Sequence, residues 1–279
     1  MTKITPEEIK LLSKYILNIS GIYLEQAKGY LIETRLGPLL EELGVSTYGE
    51  LYHKARADNL KFIEKNIIAA ISTNETLFFR DKGPFELIRH KILPDLIDCK
   101  SEKISTSLPV SIRIWSAACS TGQEIYSIAI IIKELLQNSK NINIKLLGTD
   151  ISDAAISQAS YGKYNKFEIE RGLPKDKLEK YFTANGSSWK IKDDIRAMAS
   201  FKKLNLMLPF AGLGKFDIVF LRNVIIYFSM EDRKKVLNNL INILEPDGYL
   251  IVGASESLTG ICNHFVPKRY LNSIFYQLK

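Results

Sequence analysis

A chain of 279 residues, 46% hydrophobic and 25% charged, has the composition of a soluble globular protein, with room for one large α/β domain and a smaller companion. No apolar run approaches the roughly 20 residues a bilayer requires. The first helical pattern carries Glu7, Glu8, Lys10 and Lys14, so neither a signal peptide nor direct membrane insertion is expected, and the protein is expected to be cytosolic. The net charge of +7 is unevenly placed: residues 161–207 hold 11 basic against 6 acidic side chains, whereas residues 1–71 balance at 9 and 9. Such a local excess points to an acidic partner there, polypeptide or nucleic acid, or else to a solvated insert.

Residues 1–71 predict a separate all-helical domain. Thr5-Pro6-Glu7-Glu8 combines an N-cap, a first-turn proline and early acids, and Ile9, Leu12, Ile16 and Ile19 follow at helical spacing until Ser20-Gly21. A second helix carries Leu31, Ile32, Leu36, Leu39, Leu40 and Leu43 and stops at Gly44, with a kink or interruption predicted at Pro38. Two shorter helices are predicted near 47–57 and 59–71. Residues 72–81 fit neither a period of two nor one of 3.6. A connection that spends Phe78, Phe79 and Arg80 in three positions reads as a functional segment more than as a plain linker. A helix over 84–93 and a polar stretch over 99–109 complete an interdomain region at 72–110.

From residue 111 to 279, strand and helix patterns alternate: strand 111–117, helix 122–137, strand 142–149, helix 152–159, strand 215–221, helix 230–244, strand 248–254. That alternation predicts a doubly wound α/β sheet. The interval 161–207 is too long for one crossover helix, so it predicts an inserted subdomain. The closing run 270–278 partly alternates, as an antiparallel strand added to the sheet would.

Ligands of open α/β sheets sit beyond the carboxyl ends of the strands. The first strand runs into Ser116-Ala117-Ala118-Cys119-Ser120-Thr121-Gly122-Gln123-Glu124, where small residues allow close approach to a ligand and Glu124 suits a cation better than a phosphate. Asp150, closing the second strand in Gly148-Thr149-Asp150, can accept both hydroxyls of a ribose, which suggests an adenosine-containing ligand; as an alternative it can cap the next helix. No G-x-G-x-x-G follows the first strand and no G-x-x-x-x-G-K-[ST] is present, which disfavours NAD, ATP and GTP and leaves S-adenosylmethionine as the leading ligand.

Hydrolase chemistry fits less well. Gly253-Ala254-Ser255-Glu256-Ser257 lacks the second glycine of a nucleophile elbow, and His53, His90 and His264 are not placed as a base. These histidines and Cys99, Cys119 and Cys262 show no metal-ligand spacing, although Cys262 and His264 are close in sequence; no metal is expected, and Cys119 reads as a small buried side chain. The strand at 215–221 ends in Leu221-Arg222-Asn223-Val224-Ile225-Ile226-Tyr227-Phe228, where a group facing a methyl donor belongs. It lacks the Asn-Pro-Pro-Tyr-like turn usual in enzymes that methylate base amino groups. Tyr227 and Phe228 can also be core aromatics, and Phe228 is read so.

Taken together, Thr73-Asn74-Glu75-Thr76-Leu77-Phe78-Phe79-Arg80, the 116–124 run, Gly148-Thr149-Asp150-Ile151-Ser152, Asn205-Leu206 and the 222–228 run closely resemble the CheR chemotaxis receptor methyltransferases across nearly the whole chain. The resemblance implies a class I methyltransferase-like α/β sheet with a small inserted β-subdomain and a separate N-terminal helical domain. It implies transfer of a methyl group from S-adenosylmethionine to glutamate carboxylates of chemoreceptors, with S-adenosylhomocysteine as product and no nucleic-acid partner. Cofactor contacts carry over to Asn74, Thr76, Arg80, Glu124, Asp150, Asn205, Leu206, Arg222 and Asn223, and positions near the transferred methyl to Arg80 and Tyr227. Gln123 and Ile125 depart from the family pattern, where a second acid and a proline are common. The insert resembles a subdomain that in some members grips a receptor's C-terminal tether peptide, and the helical domain, with Lys28 and Arg35, is the expected face for the methylated helices. Competing readings are the same fold acting on a nucleic acid, which steep salt dependence would reveal, and a non-catalytic S-adenosylmethionine sensor, against which Arg80 and Tyr227 argue.

Overall fold

The computed structural model describes residues 3–103, 108–136 and 141–279. Four helices form the N-terminal domain: α1 (Pro6–Ser20), α2 (Gly29–Leu43), α3 (Tyr48–Ala57) and α4 (Phe62–Ile71). A capping box starts α1, with Glu8 N–H donating to Thr5 Oγ1 at 3.3 Å and Thr5 N–H donating to Glu8 Oε2 at 2.9 Å. Leu12, Ile16, Ile32, Leu36, Leu51 and Ile67 make the buried centre of this bundle. Of the kink or interruption predicted at Pro38, the interruption does not occur: α2 continues through it. Gly37 precedes the proline, and without a Cβ it escapes part of the clash that drives pre-proline residues out of the helical region.

Helices α5 (Lys82–Leu87) and α6 (Leu93–Lys103) are joined through a π-helical turn, Ile88–Ile92, into one uninterrupted rod. The polar stretch expected from residue 99 is therefore helical at its start. Ion pairs of Lys100 with Asp217 (2.8 Å) and Lys103 with Asp247 (3.0 Å) hold this solvent-facing end against the sheet. Residues 104–107 of that stretch lie outside the described residues.

The second domain is wound from β1 (Val110–Ala117), α7 (Gln123–Leu135), β2 (Ile142–Asp150) and α8 (Asp153–Tyr161), followed by an insert and then by the rest of the sheet. The insert contains β3 (Lys163–Asn165), α9 (Lys166–Glu170), α10 (Lys175–Tyr181), β4 (Phe182–Asn185), β5 (Ser188–Ile191) and α11 (Asp193–Arg196). The chain then forms β6 (Ala199–Lys203), β7 (Phe216–Leu221), α12 (Met230–Ile241), β8 (Leu244–Val252), β9 (Phe265–Tyr270) and β10 (Ser273–Leu278). Seven strands make the main sheet in the order β6-β2-β1-β7-β8-β10-β9. The first five in that order run parallel, and β10 pairs antiparallel with both β8 and β9.

Two strands were not anticipated. Ala199–Lys203, within the interval 161–207, belongs to the main sheet and pairs with β2, and the closing antiparallel run is one arm of a hairpin whose other arm is β9. The insert's own sheet has three antiparallel strands in the order β3-β5-β4. It packs on the interdomain segment through Phe78, fully buried, whose ring meets Tyr164 at 5.0 Å and Phe182 at 5.5 Å edge-on. Strand β7 is buried at every position, as a central parallel strand covered on both faces should be. Chain order reverses at β1, which has β2 on one side and β7 on the other, and a crevice opens beyond their carboxyl ends.

Candidate functional site

That crevice is a deep cleft roofed by the helical domain. It holds about 1410 Å³ of free space including its open mouth, and Asn74, Thr76, Arg80, Glu124, Asp150, Asn205, Leu206, Arg222, Asn223 and Tyr227 all line it. Its floor is the turn after β1, which alternates into the left-handed region at Ala118 (φ 60°), Ser120 (φ 50°) and Gly122 (φ 95°). At Gly122 a Cβ would also crowd Ala159 Cβ at 3.0 Å and Tyr164 Oη at 3.1 Å, so only glycine fits. Cys119 is buried in this turn, and burial, reinforced by the charges of Asp150 and Glu124, pushes its thiol well above the ordinary range. It stays a protonated, unreactive filler.

Asp150 ties two loops together. Ser120 N–H donates to Oδ2 and Ser152 N–H to Oδ1, both at 2.9 Å. The carboxylate thus keeps acceptor capacity for a further donor. The helix-capping alternative is not what the chain adopts, because Ser152 caps α8 through its own hydroxyl. Burial pushes the Asp150 carboxyl above its usual range, against the pull of backbone N–H groups from Ser152, Ser120 and Ile151.

Glu124 and Arg222 form the second part. Glu124 Oε1 accepts the Ser116 hydroxyl and Oε2 accepts Arg222 Nη1, each at 2.7 Å. Arg222 is almost wholly buried, and its Nη2 also donates to Arg80 O at 2.8 Å and Asp81 Oδ2 at 2.9 Å. Both terminal nitrogens are thereby committed to the protein, and Nε has no partner among the described residues. Arg222 sits at the cleft as an organiser that joins the tip of β7, the start of α7 and the interdomain segment.

The interdomain segment is held at both ends. Ser120 Oγ donates to Asn74 O at 3.0 Å, Phe79 N–H donates to Ser127 Oγ at 3.0 Å, and Arg171 of the insert pairs with Glu75 at 2.7 Å. The Arg80 guanidinium donates to Glu75 O at 3.1 Å. Asn205 spends its side chain on protein contacts: Nδ2 donates to Ile19 O and Oδ1 accepts Met207 N–H, both at 2.9 Å, while Leu206 is buried beside it. Tyr23 N–H donates to Tyr227 O at 2.9 Å, and the Tyr227 hydroxyl has no partner among the described residues. Phe228 is a core aromatic, as read from the sequence.

Sequence reasoning did not place Tyr23 at the cleft, which it lines from the loop after α1, nor did it single out Glu256, which lies behind the lining and whose carboxylate holds the loop after β7. Tyr23 follows the Gly21 stop and carries no motif. Arg35, expected on a receptor-facing surface, is instead tied to Ile71 O and Thr73 Oγ1, whereas Lys28 is half exposed. Chemically the cleft presents acids at two neighbouring strand tips and no phosphate cradle, which suits a nucleoside bearing positive charge. Among the described residues, no group of three or more His, Cys, Asp and Glu side chains is arranged to hold a metal.

Comparison with known proteins agrees with this geometry. Residues 74–270 match the family model described as the CheR methyltransferase, SAM binding domain, and residues 7–65 match the CheR methyltransferase, all-alpha domain. The chain is similar to chemotaxis protein methyltransferase Cher2 of Pseudomonas putida, at 38% identity over 93% of both chains. It is 37% identical to a chemotaxis protein methyltransferase of Vibrio parahaemolyticus over 100% of both, and 38% identical to one of Borreliella burgdorferi over 96% of this chain and 94% of that one.

Proposed function

Because the chain belongs to the CheR methyltransferase family, we propose that it methylates glutamate carboxylates of chemoreceptors, using S-adenosylmethionine and leaving S-adenosylhomocysteine. The observation that carries this reading is a single cleft in which Asp150, a buried carboxylate with acceptor capacity to spare, shares the walls with Arg80 and Tyr227. The donor set fits the cofactor: Asp150 offers acceptor oxygens to ribose hydroxyls, Glu124 fixes the adjoining wall through Arg222, and the turn at 118–122 lets backbone approach closely. When bound, S-adenosylmethionine supplies a sulfonium methyl, to which a carboxylate oxygen forms a bond as the carbon–sulfur bond breaks.

A glutamate side chain, with a reference pKa of about 4.3, is already ionised at neutral pH and needs no general base. The protein's task is then positioning and water exclusion. Arg80 supplies a guanidinium for the acceptor or the donor. Tyr227, with its hydroxyl uncommitted among the described residues, orients the acceptor oxygen. The helical domain supplies the roof, and half-exposed Lys28 on it, 4.0 Å from Glu25, adds positive charge towards an acidic receptor helix. The insert's basic three-stranded sheet fits a receptor tether peptide ending in a carboxylate, added along an open strand edge.

The test is incorporation of label from tritiated S-adenosylmethionine into a chemoreceptor-containing membrane fraction, followed by mild base. Release as methanol is the expected outcome, since a carboxyl ester hydrolyses under those conditions. Base-stable label, on protein or nucleic acid, refutes the proposed reaction.

A further inference from the structure

Glu256 lies in the turn after β8, and its carboxylate is nearly buried, at 9% exposure. Oε2 accepts the N–H groups of Asn223 and Gly253, both at 2.7 Å, and Oε1 accepts Val224 N–H at 3.1 Å. No ion pair within 4.0 Å engages it among the described residues; three backbone donors converge on one carboxylate. Asn223 is held at φ 56°, a left-handed conformation uncommon for a residue with a side chain. Gly253 makes the approach possible, because a Cβ there would lie 2.7 Å from Glu256 Oε2 and 2.6 Å from Asn223 Nδ2.

The loop so gripped is the one that carries Arg222 at its start and Tyr227 at its end. Arg222 reaches Glu124 and Asp81, and Tyr227 O receives Tyr23 N–H from the helical domain. We infer that Glu256 is a positioning residue for methyl transfer: its carboxylate, acting through the backbone of Asn223 and Val224, sets where Tyr227 meets the acceptor. The inference rests on the methyltransferase reading above. A carboxylate suits the role because both of its oxygens are acceptors, whereas an amide at this place would turn an N–H toward an N–H. Charge-assisted bonds to backbone donors are also the strong kind.

The experiment compares wild type, Glu256→Gln and Glu256→Asp in methyl-ester formation on receptor membranes, with the dissociation constant for S-adenosylhomocysteine measured calorimetrically and folding checked by circular dichroism. Displacing the loop by a fraction of an ångström to one ångström is expected to lower kcat about tenfold to a hundredfold. The dissociation constant should rise by a smaller factor than kcat falls, because Asp150 and the 118–122 turn are untouched while Asn223 is displaced. Glu256→Asp keeps the anion one methylene short and is expected to remain folded with an intermediate kcat. Unchanged kcat in either folded variant overturns the inference, as does a parallel loss of kcat and cofactor affinity in both. If wild type itself binds S-adenosylhomocysteine but forms no base-labile ester, it is the methyltransferase reading that has failed.

Discussion

Asp150 carries opposed demands at the scale of one side chain. Burial raises its carboxyl above the ordinary 3.8, and its folded-state pKa then exceeds the unfolded one. The ionised form therefore costs stability at neutral pH, and that cost is relieved as pH falls through the raised value. On the proposed reading ribose hydroxyls would donate to the ionised form, so cofactor affinity should decline with falling pH starting above 3.8, which calorimetric titration across a pH series will read. Asp150→Asn removes an acceptor oxygen and the charge, and should weaken cofactor binding by about 1.5–3 kcal/mol, or roughly tenfold to a hundredfold. Tyr227→Phe should instead leave S-adenosylhomocysteine binding unchanged and lower kcat about tenfold, because only the orienting hydroxyl is lost. Arg80→Ala should lower kcat as well; equal rates at saturating cofactor for both variants and wild type would remove these residues from the reaction.

Among the elements, the insert is pinned to the main domain by Glu134 at the end of α7. Lys177 and Tyr181 of α10 and Arg89 of the π turn all donate to its carboxylate, with Arg89 at 2.9 Å and Tyr181 at 3.2 Å. Burial alone would raise this carboxyl, but the Lys177 and Arg89 bonds prevail and hold it below the usual range. A depressed folded pKa stabilises the fold above about pH 4.5 and loses that effect as pH falls through the folded value. Glu134→Gln should thus cost about 1–3 kcal/mol near neutrality in denaturant titrations, and the difference from wild type should shrink in acid. Periodicity made most of these elements legible, since β1, β2, β7, β8 and their helices bury continuous or helically spaced apolar residues. What escaped was at the edges. Strand β6 carries Lys202 and Lys203, and β9 carries Pro267, Lys268 and Arg269, the charges and proline that edge strands use to repel further pairing and that also erase the strand pattern. At the site, the strand tips and their acids were readable because they follow apolar runs. Glu256 was not, because two of its three partners are backbone N–H groups 32 and 33 residues away in sequence, which leave no side-chain signature.

In the whole molecule the cleft belongs to both domains. Ile19 O, Tyr23 N–H and the Arg35 side chain reach across or along the boundary to Asn205, Tyr227 and Thr73. A ligand seated there should stabilise the two domains together: at a concentration of about 100 times its dissociation constant the gain is about 2.7 kcal/mol. Hydrogen exchange should slow at residues 20–24 of the helical domain as well as at 118–124. Protection confined to the second segment would show that the roof does not share in binding. The grip of Glu256 on Asn223 also has a bearing on biosynthesis. Chains fold in units as they leave the ribosome, N-terminal part first. A nascent chain that has passed Asp150 already owns Glu75, Glu124 and Asp150, the acids that line the pocket, and one that has passed Tyr227 owns every residue assigned to the reaction. The loop that aims Tyr227 nevertheless stays unclamped until the turn beyond Val252 has emerged, so no shorter nascent chain should transfer the methyl group at the full rate.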